Sequence, residues 1–258
     1  MNRTFKASVI DNKKLINNHY LITLRPEVKI TPPRPGNFFM VAVDTGLDPL
    51  LKRPFSVHRW SDGNFQLFYR VVGKGTKILS EKKPGNSLDI LGPLGKGFPA
   101  PKKDKQIILV AGGMGIAPIF AMAERIRNNN PLLFYGTKTK KTVFFTDEFR
   151  SLGIDPVVST DDGTFGMKGN IVKILKKHLT RDSLPVTRYL LYACGPEIML
   201  EALSDLASQF NIKGYVAMEQ NMACGIGTCL GCVVKTRKGH KRVCKEGPVF
   251  PIEEIVWD

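Results

Sequence analysis

Four of the five cysteines of this 258-residue chain lie in one short segment near its end. They follow the spacing C-x4-C-x2-C, and a fourth cysteine comes after eleven further residues. A pair of irons bridged by sulfides takes four thiolate ligands, and this spacing is the plant-type pattern for a 2Fe-2S cluster. The candidate ligands are Cys224, Cys229, Cys232 and Cys244.

The residues between these cysteines favour the same interpretation. Gly225, Gly227 and Gly231 allow left-handed backbone angles, so that amide N–H groups can turn toward cluster sulfurs. The alternative is a structural zinc site, for which two C-x2-C pairs are expected rather than one. Disulfides are not expected, because the first ten residues lack the apolar region and cleavage site of a secretory signal. We therefore expect a cytoplasmic, reducing environment.

The composition is typical of a soluble globular protein with room for two domains, at 43% hydrophobic and 24% charged residues. No apolar run is long enough to cross a bilayer, so we expect no membrane partner. The net charge of +15 is compatible with an acidic partner, nucleic acid or a lysine-coated surface. The lysines form scattered pairs such as Lys13-Lys14 and Lys176-Lys177, without interleaved aromatic residues, so no nucleic-acid binding is expected.

The pattern of the sequence changes near residue 100. Up to about Ile90, short β-rich runs separated by glycine-containing turns predict an antiparallel closed barrel of about six strands. After Lys105, apolar runs alternate with helical patterns, which predicts a parallel sheet with crossover helices. The expected division is a barrel over 1–100, an α/β domain over 101–215, and a cluster segment over 216–258 that follows the sheet and ends in a tail from Val249.

The barrel contains the first of three further motifs. An arginine can pair with a pyrophosphate, a serine hydroxyl can bind a flavin ring edge, and glycine-threonine amides can hold a phosphate oxygen. Each element alone is weak, since R-P-x-S is often an ordinary strand start and a tyrosine is often core. Their order ahead of a nucleotide-type sheet predicts a flavin site. The residues are Arg53, Pro54, Phe55, Ser56, Tyr69, Arg70, Val71, Val72, Gly75 and Thr76.

The second motif, A-G-G-M-G-I-A-P, lies between a predicted strand and a predicted helix. Gly112, Gly113 and Gly115 would let a cofactor pyrophosphate approach the backbone and the helix N-terminus. The strict G-x-G-x-x-G pattern is not met, because Pro118 stands where the third glycine would be. Candidates for the adenosine end are Thr137, Lys138 and Asp161. The alternative is a tight βα turn with no ligand.

The third motif is Cys194-Gly195-Pro196 at the end of a predicted strand. The carboxyl ends of parallel strands are where ligands of open α/β sheets bind, so Cys194 is a candidate neighbour of the nicotinamide. The alternative is a buried cysteine that acts as a small hydrophobe. The four histidines show no metal-ligand spacing, and we assign no catalytic residue.

Taken in order, R-P-F-S, Y-R-V-V-G-K-G-T, G-P-L-G-K-G-F, A-G-G-M-G-I-A-P, S-T-D-D-G-T-F-G, A-C-G-P and the cysteine loop resemble the ferredoxin reductase superfamily. The runs 218–227 and 245–250 resemble the electron transfer subunit of class 1B dihydroorotate dehydrogenase. This resemblance implies that nine of the ten barrel residues, all except Tyr69, contact FAD, that the glycine turn with Cys194 and Gly195 binds NAD, and that the four cysteines ligate the cluster.

The resemblance also implies a partner, an FMN-containing dihydroorotate dehydrogenase catalytic subunit, in a heterotetramer of two copies of each chain. Electrons would flow from dihydroorotate through FMN, the cluster and FAD to NAD+ in pyrimidine biosynthesis. Only the resemblance favours NAD over NADP, since Lys138, Lys140 and Lys141 could neutralise a 2′-phosphate.

The combination of cofactors predicts an electron conduit on chemical grounds alone. A nicotinamide exchanges two electrons together and a cluster passes one at a time, so a flavin that can do both must lie between them. The sequence offers no second flavin site and no acid–base residue for a carbon substrate. Rival interpretations are a sulfhydrogenase gamma subunit, the small subunit of an NADH-dependent ferredoxin:NADP oxidoreductase, or a non-catalytic zinc-stabilised flavin-binding module.

Overall fold

The first part of the chain closes into a barrel in which the strands are paired in the order β1-β2-β5-β4-β3-β6. The computed structural model describes residues 3–102, 104–181 and 188–257. Neighbouring strands are antiparallel throughout, so the predicted six-stranded antiparallel barrel is confirmed. Its strands are β1 Arg3–Lys14, β2 His19–Pro26, β3 Phe38–Ala42, β4 Arg53–Ser61, β5 Asn64–Arg70 and β6 Ser87–Leu94.

Aromatic side chains fill the barrel interior. Phe39 stacks on Phe65 with ring centroids 4.3 Å apart, and Phe5 packs edge-on against both. Successive residues of a strand point to opposite faces, and β6 accordingly alternates between buried and more exposed positions along its whole length. Each strand of the barrel is hydrogen-bonded to two neighbouring strands, so the closed sheet has no free strand edge among the described residues.

A short helix that the sequence did not predict, α1 Lys74–Ser80, follows the barrel strand β5. The Thr76 hydroxyl accepts hydrogen bonds from the backbone N–H groups of Val72 and Gly73, at 2.9 and 3.2 Å. These bonds satisfy donors at the start of the helix, which have no partner within it. Leu79 then anchors the helix in the barrel core.

The second part of the chain forms a seven-stranded sheet in the order β10-β9-β8-β7-β11-β12-β15. The first six of these strands are parallel, as the alternating pattern predicts. They are β7 Gln106–Gly112, β8 Leu132–Thr137, β9 Val157–Thr160, β10 Met167–Lys168, β11 Tyr189–Cys194 and β12 Lys213–Ala217. The helices are α2 Ile116–Ile126, α3 Thr146–Ser151, α4 Ile171–Arg181 and α5 Glu197–Gln209.

The end of the chain differs from the expected tail. Strand β15, Val249–Pro251, pairs antiparallel with β12 and becomes the seventh strand of the sheet. A three-residue strand has no periodicity that a sequence pattern can show, and β12 was missed as well. The cysteine segment is therefore an excursion between two neighbouring strands. It contains a hairpin of β13 Val233–Thr236 and β14 Gly239–Arg242.

The barrel and the sheet meet where helix α2 crosses strand β4. Arg59 on β4 forms an ion pair with Glu124 on α2 at 2.6 Å, and its guanidinium lies 5.3 Å from the centre of the Phe120 ring. At this junction the carboxyl edge of the sheet lies beside barrel strands β4 and β5. In the part of the chain that the structure describes, no helix has the length and apolar character needed to span a membrane.

Candidate functional site

A cavity of 270 Å³ opens between the barrel, the glycine turn of the sheet and the segment that follows β12. Ligand sites of α/β sheets lie at the carboxyl edges of their strands, and this cavity lies at such an edge. The barrel wall of the cavity includes six residues of the predicted flavin site: Pro54, Phe55, Ser56, Tyr69, Arg70 and Val72. The structure therefore brings together most of a set chosen from sequence alone.

Tyr69 is both a core residue and part of the cavity wall. Its side chain is buried, and its hydroxyl donates to Asn12 Oδ1 at 3.0 Å. Burial raises the pKa of the phenol well above its usual range, so Tyr69 stays neutral. Its ring packs against Tyr20 and Phe55 with centroids 5.4 and 5.6 Å apart. These contacts give the cavity a rigid aromatic wall.

The remaining predicted flavin residues lie beside the cavity rather than in its wall. A side chain at Gly75 would come within 2.5 Å of Arg53 Nε, so the guanidinium lies over the start of α1. Thr76 caps that helix with its hydroxyl, and its backbone contact with a phosphate stays a prediction. Val71 packs on the barrel core and donates its backbone N–H to Asn18 O at 2.8 Å.

Sequence reasoning placed the segment that lines the cavity from the sheet side in the cluster unit and did not assign its residues to a cofactor cavity. Met218, Glu219, Gln220 and Met222 follow β12 and lead directly into Cys224. Glu219 is accessible to solvent through the open cavity, yet surrounding protein raises the pKa of its carboxyl. The usable signal was its position at the carboxyl end of a parallel strand, which required β12 to be recognised.

The glycine turn after β7 is needed for packing at several positions. A Cβ on Gly115 would collide with the backbone carbonyl of Cys194, and one on Gly112 would come within 2.6 Å of Met199 and Pro196. A Cβ on Gly195 would come within 2.9 Å of Gly112. These glycines let β7 and β11 turn into their helices in close contact, as the third glycine of a nucleotide motif does.

Gly113 differs from the glycines around it. Its φ is +50°, and a Cβ there would meet no atom within 4 Å. Gly113 thus leaves open space just before helix α2, where a pyrophosphate can approach backbone N–H groups. Among the three glycines of the turn, Gly113 alone has open space beside its Cα, and contact with a ligand there stays a prediction.

Cys194 is buried and does not line the cavity. Burial, followed by the nearby Glu219 carboxylate, raises the pKa of its thiol well above the usual value. The thiol is therefore protonated and unreactive, which agrees with the alternative interpretation of Cys194 as a small buried hydrophobic residue. A contact between Cys194 and a nicotinamide stays a prediction.

The candidates for the adenosine end come together at the edge formed by β8 and β9. The backbone N–H of Asp161 donates to Thr137 O at 3.0 Å, and that of Asp162 donates to Lys138 O at 3.3 Å. Asp162 is held in turn by the hydroxyl of Thr164 at 2.7 Å. Asp161, the acidic candidate, and Lys138, the basic candidate, thus lie near each other at the carboxyl edge of the sheet.

The four cysteines of the C-terminal segment are arranged as two pairs. The side chains of Cys224 and Cys229 are hydrogen-bonded to each other, and so are those of Cys232 and Cys244. In each pair a backbone N–H also reaches the partner's sulfur: Cys229 N to Cys224 Sγ at 3.5 Å and Cys244 N to Cys232 Sγ at 3.4 Å. The four cysteines, which are spaced along the sequence, thus form two thiol pairs on one loop of the structure.

The two pairs differ in their surroundings. Cys232 and Cys244 are 2% and 3% exposed, whereas Cys229 is exposed. Burial and the neighbouring Cys232 thiol raise the pKa of Cys244 to about 12. Burial would also raise the pKa of Cys224, but hydrogen bonds from Cys229, Ile226 and Thr228 lower it to about 6. Amide groups aimed at a sulfur stabilise its thiolate form, as a metal centre requires.

The pairing fits two irons better than one zinc ion. A 2Fe-2S cluster takes two thiolates at each iron, whereas a structural zinc site gathers four ligands around one ion. The residues present therefore fit the 2Fe-2S group predicted from their spacing.

The cysteine loop packs directly on the barrel. Gly225 has φ +71°, and a Cβ there would come within 2.6 Å of the Met40 side chain on β3 and 3.2 Å of Leu94 on β6. Beyond the last cysteine, the backbone N–H of Met218 donates to Pro248 O at 2.9 Å. Both ends of the segment are thus tied to the walls of the cavity, and the thiols lie beside it.

The fold and the site define an iron–sulfur flavoprotein of the ferredoxin reductase type: a flavin-sized cavity on a closed barrel, a nucleotide-type sheet and a four-thiol loop. Two family models agree with this assignment. One, described as the iron-sulfur cluster binding domain of dihydroorotate dehydrogenase B, matches residues 219–256. The other, described as the oxidoreductase NAD-binding domain, matches residues 109–205.

Curated relatives indicate a particular family within this class of iron–sulfur flavoproteins. The dihydroorotate dehydrogenase B (NAD(+)) electron transfer subunit of Desulforamulus reducens is 35% identical over 266 residues, with 100% of both chains covered. That of Caldanaerobacter subterraneus subsp. tengcongensis is 36% identical, with 98% of both chains covered. This chain belongs to the family of dihydroorotate dehydrogenase B electron transfer subunits.

Solved structures share the fold. The structure of an NADH-dependent reduced ferredoxin-NADP oxidoreductase matches with a TM-score of 0.82 and 28% identity, covering 98% of this chain and 90% of that one. The ferredoxin reductase of carbazole 1,9a-dioxygenase matches with a TM-score of 0.70 and 22% identity, covering 82% and 67%. The second likeness concerns the fold alone.

Proposed function

We propose that this chain is the electron transfer subunit that carries electrons from dihydroorotate oxidation to NAD+ in pyrimidine biosynthesis. The observation that carries this proposal is the continuity of segment 218–224. Its first part lines the flavin-sized cavity, and its last residue, Cys224, begins the four-thiol loop. The proposed cluster loop is therefore attached directly to the wall of the cavity.

The barrel holds FAD through the ten residues proposed from sequence. Arg53 supplies a cation for the pyrophosphate, and the start of α1 at Gly75 and Thr76 supplies backbone amides. Pro54, Phe55 and Ser56 with Tyr69, Arg70, Val71 and Val72 shape the ring site. When bound, FAD exchanges electrons in pairs with a nicotinamide and singly with an iron–sulfur cluster.

The carboxyl edge of the sheet holds NAD. Gly113 leaves space for the pyrophosphate, while Gly112, Gly115 and Gly195 keep the two strand ends in close contact. The backbone of Asp161 is hydrogen-bonded to that of Thr137, which supports a role for its carboxylate in accepting a hydrogen bond from a ribose 2′-hydroxyl and repelling a 2′-phosphate. The Asp161 carboxylate thereby disfavours NADP, whereas the positive charge of Lys138 would favour it.

The partner is a dihydroorotate dehydrogenase catalytic subunit, because the relatives are named as electron transfer subunits. We further propose that this subunit contains FMN, that the assembly holds two copies of each chain, and that it works in the cytoplasm. Cys229 is exposed, and Ile226 and Leu230 beside it are exposed apolar residues. These residues offer the partner a dry contact at the outer edge of the cluster.

We propose the same functional units as the sequence division: FAD over 1–100, NAD over 101–215 and the cluster over 216–258. The two family matches fall inside the second and third units. Strand β15 nevertheless belongs to the sheet by hydrogen bonding, so the third unit is joined to the second at both ends.

The test is anaerobic reduction of NAD+ by dihydroorotate. The chain is purified alone and then mixed with the dihydroorotate dehydrogenase catalytic subunit of its own host. Activity that requires the mixture supports the proposal. Absence of activity in a mixture whose flavins and cluster are intact would contradict it.

A second candidate function is electron transfer in an NADH-dependent ferredoxin:NADP oxidoreductase, which the 0.82 TM-score of that solved structure favours. The same preparation separates the two. Reduction of NADP+ with reduced ferredoxin as the donor, without turnover of dihydroorotate in the mixture, would replace the first proposal with the second.

A further inference from the structure

Arg242 connects the two parts of the cysteine loop. It lies at the end of β14, two positions before Cys244, and its Nη1 donates to the backbone carbonyl of Gly227 at 2.7 Å. Gly227 lies between Cys224 and Cys229 in the sequence. One guanidinium therefore touches the segment of the outer thiol pair and stands next to a ligand of the inner pair.

Glu246 fixes this guanidinium. Arg242 Nε donates to Glu246 Oε2 at 2.9 Å, and Nη2 forms a second, ion-paired contact with Oε1. The backbone N–H of Arg242 donates to the same carboxylate at 2.8 Å. A bidentate pair of this kind restricts a side chain that would otherwise move freely. The position of the positive charge relative to the loop is thus defined.

Three other basic side chains of the hairpin, Arg237, Lys238 and Lys241, are paired near the end of the chain. Lys241 and Lys238 pair with Glu254 at 2.8 and 2.7 Å, near the end of the chain. Arg237 donates to the backbone carbonyl of Glu253. Arg242 is a permanent cation, and it lies two residues before Cys244, one of the proposed ligands.

We propose that the Arg242–Glu246 pair tunes the reduction potential of the cluster, with Arg242 favouring the reduced form and Glu246 opposing it. The inference depends on the proposed function, because it takes the four cysteines as cluster ligands. A four-thiolate cluster is anionic, and the electron it accepts from its donor adds a negative charge, which a fixed cation stabilises. Solvent screens the effect in part, since the Arg242 side chain is one-third exposed.

Three variants of the full-length chain test this role. Arg242→Gln removes the cation, Glu246→Gln removes the opposing charge but keeps an acceptor, and Lys241→Gln removes an equal charge from the neighbouring residue. The readout is the midpoint potential of the cluster, from a dithionite titration followed by electron paramagnetic resonance. We expect a more negative potential for Arg242→Gln, a more positive one for Glu246→Gln, and a much smaller change for Lys241→Gln.

Equal shifts in Arg242→Gln and Lys241→Gln would overturn the inference, because only total charge would then matter. So would an unchanged potential in Arg242→Gln with an intact cluster spectrum. If Arg242→Gln fails to retain its cluster, Arg242→Lys keeps the charge and must stay near the wild-type potential, and Glu246→Gln must still shift. A wild-type chain without a 2Fe-2S spectrum would instead contradict the proposed function itself, and the inference with it.

Discussion

The imidazole ring of His58 on the barrel stacks on the ring of Phe120 in helix α2, with centroids 4.5 Å apart. Phe145 lies 4.3 Å away, so the histidine is enclosed by aromatic residues at the junction of barrel and sheet. In the part of the chain that the structure describes, its Nδ1 has no hydrogen-bond partner. Burial, and then the charge of Arg59, lowers the pKa of His58 to about 3.

The first prediction concerns stability at acidic pH. The unfolded chain takes up a proton on His58 near pH 6.5, whereas the folded chain does so only near pH 3. The stability that neutral His58 supports is therefore present above pH 6.5 and is lost progressively as the pH falls toward 3. Between about pH 7 and about pH 5, we expect His58 to account for a loss of about 2 kcal/mol.

The test compares denaturant unfolding of His58→Phe and of the control His240→Gln at both pH values. His58→Phe keeps the aromatic packing, although it loses a hydrogen bond to the backbone of Ala117. Its stability should decline less with acid than that of the wild type. An unchanged pH dependence in His58→Phe would show that another group is responsible.

The second prediction concerns Gly225. Alanine at Gly225 or at Gly239 meets the same left-handed strain of about 1–2 kcal/mol, because both residues have positive φ. Only Gly225 lacks space, since its Cβ would press on Met40. We expect Gly225→Ala to lose a further 1–3 kcal/mol, roughly, and to retain less iron than Gly239→Ala. Iron content and thermal unfolding are measured together, and equal iron content in the two variants would argue against the contact.

The third prediction concerns the cluster as a conduit. Cys229→Ser should abolish NAD+ reduction by dihydroorotate in the proposed complex, because it removes a proposed ligand of the cluster that would pass single electrons to FAD. Direct oxidation of NADH by the FAD site, measured with an artificial acceptor, should remain largely intact. The control is Cys194→Ser, which should keep the cluster spectrum. Full electron transfer in Cys229→Ser would rule out the conduit.

The fourth prediction concerns Glu219, whose pKa is raised by the surrounding protein. Once ionised, its carboxylate opposes the addition of electrons to a flavin in the cavity it lines. Glu219→Gln should therefore raise the FAD midpoint potential relative to wild type, and the difference should grow with pH. Spectroelectrochemical titrations at several pH values from about pH 5 to about pH 8 measure this, because the pKa of Glu219 lies above the ordinary value for a glutamate. The exposed residue Glu197 supplies the control, Glu197→Gln, and a difference independent of pH would contradict the role of ionisation.

The fifth prediction concerns cofactor choice. Asp161→Asn removes the carboxylate at the carboxyl end of β9, and we expect use of NADPH relative to NADH to rise by about fivefold, which corresponds to about 1 kcal/mol. Asp155→Asn removes the same charge just before β9, at the opposite edge of the sheet. Steady-state kinetics with both nucleotides distinguish the variants. Equal behaviour of the two would mean that Asp161 does not contact the ribose.

Local patterns predicted the architecture because they arise from neighbours in the chain. The alternation of β8, β9 and their helices, and the glycine-rich turn after β7, were visible as periodicity and composition. The roles of individual residues were less accessible. The need for glycine at position 115 follows from the approach of Cys194, which is 79 residues away in sequence and which only the pairing of β7 with β11 reveals.

The sequence by itself determined the class of cofactor chemistry to expect: the spacing of Cys224, Cys229, Cys232 and Cys244 predicts a 2Fe-2S centre, because the number and spacing of candidate ligands are properties of the chain alone. Only the tertiary structure decided where that chemistry lies. The pairing of β15 with β12 turns the cysteine segment into an excursion of the sheet, and the packing of Gly225 on Met40 holds it beside the flavin-sized cavity. Such contacts between distant segments follow from the packing of the folded chain.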